Sequence, residues 1–333
     1  MAEHDDSDID RVLRAAGRRA QPPPDVKQSI YEAVHAEWLA TLGKPAPRRP
    51  ARHVWLAAAA SILVAAVILF FARDQLFRND VVVASIGRSI GVVEIQEVES
   101  GPWNPLVDDR PLHAGERIQT GPNGRIAIRL PDGVSVRLDR STNIGLLGTD
   151  RIDLKAGAVY VDSGTTEPKP GRLIVSTATG TIRHVGTQYE ARLLEDGLTR
   201  VRVREGRVDV TPGEGASSRT VETGDQVLMS SGAVQSSGRI EPDSDEWDWA
   251  SSTAPEFSID GTLLHEFLTW AARETGLRLV FATPESAEEA RRAVLSGSIA
   301  GLTPDEALAA VLPTTRLRST EREGRLVIEL AGR

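Results

Sequence analysis

Arg125-Ile-Ala-Ile-Arg-Leu130 is followed by Pro131-Asp-Gly133 and then by Val134-Ser-Val-Arg-Leu138. An apolar residue falls at every second position on both sides of the proline: Ile126, Ile128 and Leu130, then Val134, Val136 and Leu138. Side chains of an extended chain alternate between its two faces, so this period of two puts all six on one face. Pro-Asp-Gly supplies a fixed φ, a side chain that bonds its own backbone and a residue free to take positive φ. The stretch therefore predicts a β-hairpin with one apolar face.

The same period extends outward from this hairpin. Thr199 to Val210 alternates as well, with Val201, Val203, Val208 and Val210 on one side. Arg204-Glu-Gly-Arg207 is expected to turn the chain there. Thr120-Gly-Pro-Asn-Gly124 and Lys155-Ala-Gly157 mark further turns. Short strands at this spacing over residues 81–229 predict an all-β sandwich, barrel or β-roll. Residues 230–252 are rich in Ser, Gly and acid and read as a linker, with Trp247 and Trp249 packing onto a neighbour or serving as a docking motif.

Residues 253–333 change character. Glu256 to Ile259 and Leu277 to Phe281 read as strands, and Thr262 to Thr275 as a helix stopped by Gly276. Leu302-Thr-Pro-Asp-Glu306 carries the cues of a helix start, Pro313 ends that helix, and Arg325 to Leu330 is a last strand. A small α+β domain is the expectation.

Toward the N-terminus, Val54 to Ala72 (VWLAAAASILVAAVILFFA) holds no charge. A run of that length fits a transmembrane helix; the competing reading is a buried soluble helix. Lys44, Arg48, Arg49 and Arg52 precede it, against Arg73 and Arg78 after it. That bias favours a cytoplasmic N-terminus and an external C-terminal region. With some fifty residues ahead of it, the run reads as an anchor and not as a cleaved leader. Residues 1–50 read as two short helices and a basic, proline-rich linker. The first is capped at Ser7 and stopped by Gly17. The second, capped at Asp25, carries Val26, Ile30, Val34 and Trp38 as an apolar stripe. Such short amphipathic helices need a partner, or pack on each other. These four residues are the candidate contact for a cytoplasmic partner. The expected class is thus mainly β with a small α+β domain, one transmembrane helix and a short helical N-terminal segment.

The 333 residues carry a net charge of −8, no cysteine and six scattered histidines. Thiol chemistry and disulfides are excluded, no metal-ligand spacing occurs, and no cofactor is expected. A nucleic-acid partner is disfavoured, because phosphate binding needs clustered Lys and Arg. Gly87-Arg-Ser-Ile-Gly91 matches the G-x-S-x-G nucleophile elbow. That motif needs strand, turn and helix, whereas Val92 to Ile95 continues as a strand, so an enzyme is not expected.

In order and spacing, Leu112-His-Ala-Gly-Glu-Arg-Ile-Gln-Thr120, Leu130-Pro-Asp-Gly133, Leu154-Lys-Ala-Gly157, Val159-Tyr-Val161, Val203-Arg-Glu-Gly-Arg-Val208 and Gly224-Asp-Gln226 resemble the FecR-like family. Thr275-Gly-Leu277, Gly297 and Leu302-Thr-Pro-Asp-Glu-Ala-Leu308 resemble the short signalling domain of secretins and TonB-dependent receptors. The resemblance implies a single-pass protein of the bacterial inner membrane with a periplasmic C-terminal region. It further implies a relay from an outer-membrane TonB-dependent receptor, or another envelope protein, to a cytoplasmic extracytoplasmic-function sigma factor. The chain departs from that family in lacking the tryptophan-centred helical pattern at its start: Trp38 is its single tryptophan before the hydrophobic run. The alternative is a membrane-anchored periplasmic binding or scaffold protein without a sigma-factor role.

Overall fold

The computed structural model describes residues 24–42, 81–107, 109–164, 173–213 and 215–331. The chain divides into two compact units, Met1–Arg78 and Asn79–Arg333.

In the first unit, helix α1 spans Pro24–Leu42. Proline suits a first helical position, where its missing N–H is not needed. The expected helix at Ser7–Gly17, the basic linker and the hydrophobic run 54–72 lie outside the described residues. Among the described residues no helix is long and apolar enough to cross a membrane. α1 has the length, but Lys27, Glu32 and Glu37 interrupt it, and a span needs about 20 predominantly apolar residues. The expected fold class is corrected accordingly: the described chain is mainly β with a few short helices, and without a membrane-spanning helix.

The second unit begins with β1 (Val82–Ile90), β2 (Val93–Gln96), β3 (Asn104–Pro105), β4 (Leu112–His113), β5 (Arg117–Thr120) and β6 (Arg125–Arg129). It continues with β7 (Ser135–Leu138), β8 (Asn143–Leu146), β9 (Arg151–Ala156), β10 (Ala158–Asp162), β11 (Ile174–Thr177) and β12 (Gly180–Leu193). Then come β13 (Thr199–Pro212), β14 (Arg219–Glu222), β15 (Asp225–Met229) and β16 (Val234–Arg239). All sixteen belong to one hydrogen-bonded sheet, not to the two separate sheets of a sandwich. The hairpin β6–β7 forms as expected, with Ile126 opposite Leu138 and Ile128 opposite Val136. Gly133 takes φ +91° in its turn.

The second expected hairpin does not form. β13 continues through Arg204-Glu-Gly-Arg207 as one strand of 14 residues, paired with β12 on both sides of it. Gly206 has φ +78° and faces Gly186 at φ +67°, and the register slips between Val185 and Tyr189. The positive φ bends the strand here and does not reverse it. The bend lets one half of β12 pair with β11 and the other with β10. β13 divides likewise between β15 and β14. This bent pair joins the two wings of the sheet, and the wings curl round a common apolar core that includes Ile118, Ile126, Val136, Ile152, Tyr189 and Val201.

The stretch 230–252 is not an open linker. It contains β16, a 3-10 turn at Asp245–Trp247 and helix α2 (Asp248–Ser251), with Trp247 fully buried. Tryptophan area taken from water outweighs the local polar composition. Beyond it lie α3 (Leu264–Thr275), β17 (Arg278–Phe281), α4 (Pro284–Arg292), α5 (Pro304–Val311), β18 (Leu317–Arg322) and β19 (Arg325–Leu330). β19 is central, parallel to β17 and antiparallel to β18. Leu264, Phe267, Leu268, Leu308, Leu326 and Ile328 are part of a separate core. Glu256–Ile259 is not a strand; Phe257 instead stacks on Trp270 at 5.0 Å.

Candidate interaction sites

The structure brings Val26, Ile30, Val34 and Trp38 together along α1. Their spacing of four residues keeps them on neighbouring turns of one side, since a helix repeats every 3.6 residues. All four are exposed, Trp38 by 59%. Leu39 and Tyr31 are exposed as well. Tyr31 stacks on His35 at 5.7 Å, and His35 on Trp38 at 6.0 Å. This aromatic row was not part of the sequence expectation, although its i, i+4, i+7 spacing carried the signal. An exposed apolar helix face of this kind can lie in a hydrophobic groove of another protein, anchored at successive turns.

Ser89 is in β1, opposite Ile126 of β6. The chain passes through Gly91 (φ +66°) directly into β2. No helix follows, so the nucleophile-elbow geometry is not met. Among the described residues no group of three His, Asp or Glu side chains is placed to hold a metal ion.

A second surface was not anticipated. The alternation that sends apolar residues into the core sends Arg137, Tyr160, Glu190 and Arg202 in a cross-strand row to the other face of β7, β10, β12 and β13. Asp162, Arg192, Arg200 and Arg204 flank that row. Water would be the ordinary neighbour of such a face, yet Arg137, Asp162, Glu190, Arg202 and Arg204 are all buried. The segment 240–253 and the C-terminal end of α3 cover them.

Arg137 donates two parallel bonds to Glu274, at 2.7 and 2.8 Å, and a further one to the carbonyl of Ala250 at 2.8 Å. Burial opposes its charge, but the Glu274 and Asp162 carboxylates more than offset this and hold its pKa above the ordinary arginine value. Asp162 pairs with Arg273 and lies 3.6 Å from Arg137. Burial pushes its carboxyl up, and the two guanidinium groups override that and pull it below the usual carboxylate range. Tyr160 is pushed up to about 12, chiefly by burial. Arg204 donates to the carbonyls of Pro242 (2.6 Å) and Glu274 (2.9 Å). Its guanidinium sits 5.5 Å from the Trp247 ring centre. Trp249 donates from Nε1 to Glu190 at 3.1 Å and lies under Arg192 at 5.6 Å. These contacts are charge-assisted and directional, and several are of the kind that adds geometric specificity.

Comparison with known proteins bears on the sheet. Residues 116–209 match the family model described as FecR protein, a stretch running from before β5 into β13. Two crystal structures of a "putative anti-sigma factor" from Parabacteroides distasonis ATCC 8503 are similar to the chain, each at 19% identity. One covers 64% of this chain and 97% of its own, with a TM-score of 0.34; the other covers 65% and 99%, with a TM-score of 0.33. No curated protein matches the chain.

Proposed function

The chain carries a FecR-family domain at residues 116–209, and from that premise we propose that it regulates a sigma factor, which it holds on α1. The observation that carries this reading is the exposed stripe Val26, Ile30, Val34 and Trp38, with Tyr31 and His35 beside it. A large apolar side chain gains about 1.5–3 kcal/mol when fully buried. A helix that leaves four of them open is suited to a groove on a partner. The partner in this proposal is a sigma factor of the extracytoplasmic-function class.

In the same proposal, residues 253–333 receive the signal from an outer-membrane TonB-dependent receptor or another envelope protein. The flanking strands β17 and β18 of that region are edges to which a strand can add. In this proposal the protein works at the bacterial inner membrane. Its role is regulatory and not enzymatic.

The test is co-purification from cells that express the tagged full chain, with mass-spectrometric identification of retained sigma factors. The intact chain is expected to retain an extracytoplasmic-function sigma factor. The double variant Val34→Asp, Trp38→Ala is expected to retain at least about tenfold less, given the apolar area removed. Equal retention by both would move the contact off α1. Retention of envelope proteins alone by both would favour a scaffold role.

A further inference from the structure

The segment 240–253 crosses the charged face of the sheet as a strap, which meets the arginines beneath it through two tryptophans, backbone carbonyls and one carboxylate. Glu241-Pro-Asp-Ser-Asp-Glu-Trp-Asp248 carries five acids. The face beneath it carries Arg137, Arg192, Arg200, Arg202 and Arg204 together with Asp162 and Glu190; Arg192 and Arg200 pair with Glu190, Arg137 with Glu274 of α3, and Arg202 with the strap. Glu246 pairs with Arg202. Trp247 fits edge-on against Tyr160 at 5.9 Å, and Trp249 does so at 6.3 Å. Both indoles lie under arginines and both donate from Nε1, Trp247 to the Glu241 carbonyl and Trp249 to Glu190. Two aromatic anchors within an acidic frame, set on arginines, form the pattern of an energetic centre in a protein–protein interface.

The covered face differs from a core in a second respect. The buried apolar cluster at the joint is small, comprising Tyr160, Ile240, Trp247 and Ala250 with Trp249 against it. It is separate from the core of the sheet and from that of the C-terminal region. Arg137 Nε, Ser135 Oγ and Tyr160 Oη are buried there without a protein partner. Ionised groups regain hydration when uncovered, and a polar interface within a chain permits relative motion where a large apolar one does not. The strap's own regular structure is one 3-10 turn and one four-residue helix.

We infer that the part of the outer face of β7, β10, β12 and β13 that lies beneath residues 240–253, beside the end of α3, is a recognition surface for acidic segments bearing tryptophan, occupied in cis by those residues and open to such a segment of a partner protein when the strap lifts. This goes beyond the sigma-factor reading and does not rest on it. Tethering gives the strap an effective concentration on the order of millimolar, so a free segment at micromolar concentration does not displace it from the intact chain.

The experiment uses the full chain and a fluorescent peptide of residues 240–254. Fluorescence anisotropy compares the wild type with Trp247→Ala, Trp249→Ala, whose strap has lost its anchors. Binding at least about tenfold tighter to the variant than to the wild type is expected, since losing two tryptophan anchors of the kind that dominate interfaces weakens the strap. The same peptide with both tryptophans replaced should lose that binding. Equal binding by the two proteins would overturn the inference, because the peptide would then occupy another surface. So would the absence of binding to a variant that keeps a cooperative thermal transition. If the double variant lacks such a transition, Glu246→Gln takes its place. Its side chain is at the rim, 57% exposed, and it must bind the peptide more tightly than the wild type for the inference to stand.

Discussion

Gly206 shows how much a single residue decides here. A Cβ at this position would lie 2.3 Å from the carbonyl oxygen of Gly186, in a backbone conformation that L side chains rarely adopt. The close approach of β12 and β13 at their common bend therefore depends on the missing side chain. Gly206→Ala is expected to lower stability by about 1–3 kcal/mol, read as a fall in the thermal midpoint. An unchanged midpoint would mean that the bend is not constrained. Arg-Glu-Gly-Arg reads in sequence as a turn because glycine there signals positive φ. It does not signal whether the chain reverses or only bends, which depends on whether the partner strand bends with it. Arg137 is legible in the same partial way. Its place opposite the apolar face follows from alternation, while its burial does not, because Glu274 lies 137 residues away.

Among elements, the helices of the C-terminal region separate local from non-local control. Thr303 accepts from the Glu306 backbone N–H, and Glu306 returns a bond to the Thr303 N–H at 2.8 Å. This reciprocal cap with proline at the first position was legible, since all its parts lie within four residues. Thr303→Ala should cost about 0.5–2 kcal/mol, measured by urea denaturation. A loss below that range would show that packing of Leu308 and Val311 holds α5 without its cap. α4 is closed by an equivalent pair, Thr283 with Ser286. It escaped the reading because serine replaces the usual Glu or Gln and the helix offers few apolar residues. β18 was missed for a similar reason: Leu317-Arg-Ser-Thr-Glu-Arg322 shows no apolar alternation, and its pairing with β19 makes it a strand. On α1 the spacing of Val26, Ile30, Val34 and Trp38 was legible in the sequence, and all four are exposed on the helix.

For the whole folded unit, the buried charges set the response to pH. Asp162 and Asp139 have pKa values below the ordinary carboxylate range. Burial pushes both up, but Arg273 and Arg137 at Asp162, and Arg192 and Arg125 at Asp139, more than offset it. A depressed folded-state pKa means that the unfolded chain binds more protons in the acid range. Their contribution is therefore complete above the unfolded value of about 4 and is lost as pH falls through the lower folded values. The thermal midpoint should drop more steeply below about pH 4 in the wild type than in Asp139→Asn; parallel profiles would refute this account. The alternating residues of 81–229 were sufficient to predict strands, an inward apolar face and a mainly β fold, because side-chain period and turn chemistry act over a few residues. The paths of β12 and β13, the single curled sheet, the order of 230–252 and the burial of an arginine-rich face were settled by contacts between distant segments. Alternation tells which side chains share a face; what covers that face depends on groups far away in the chain, and here it is an acidic strap and the end of α3.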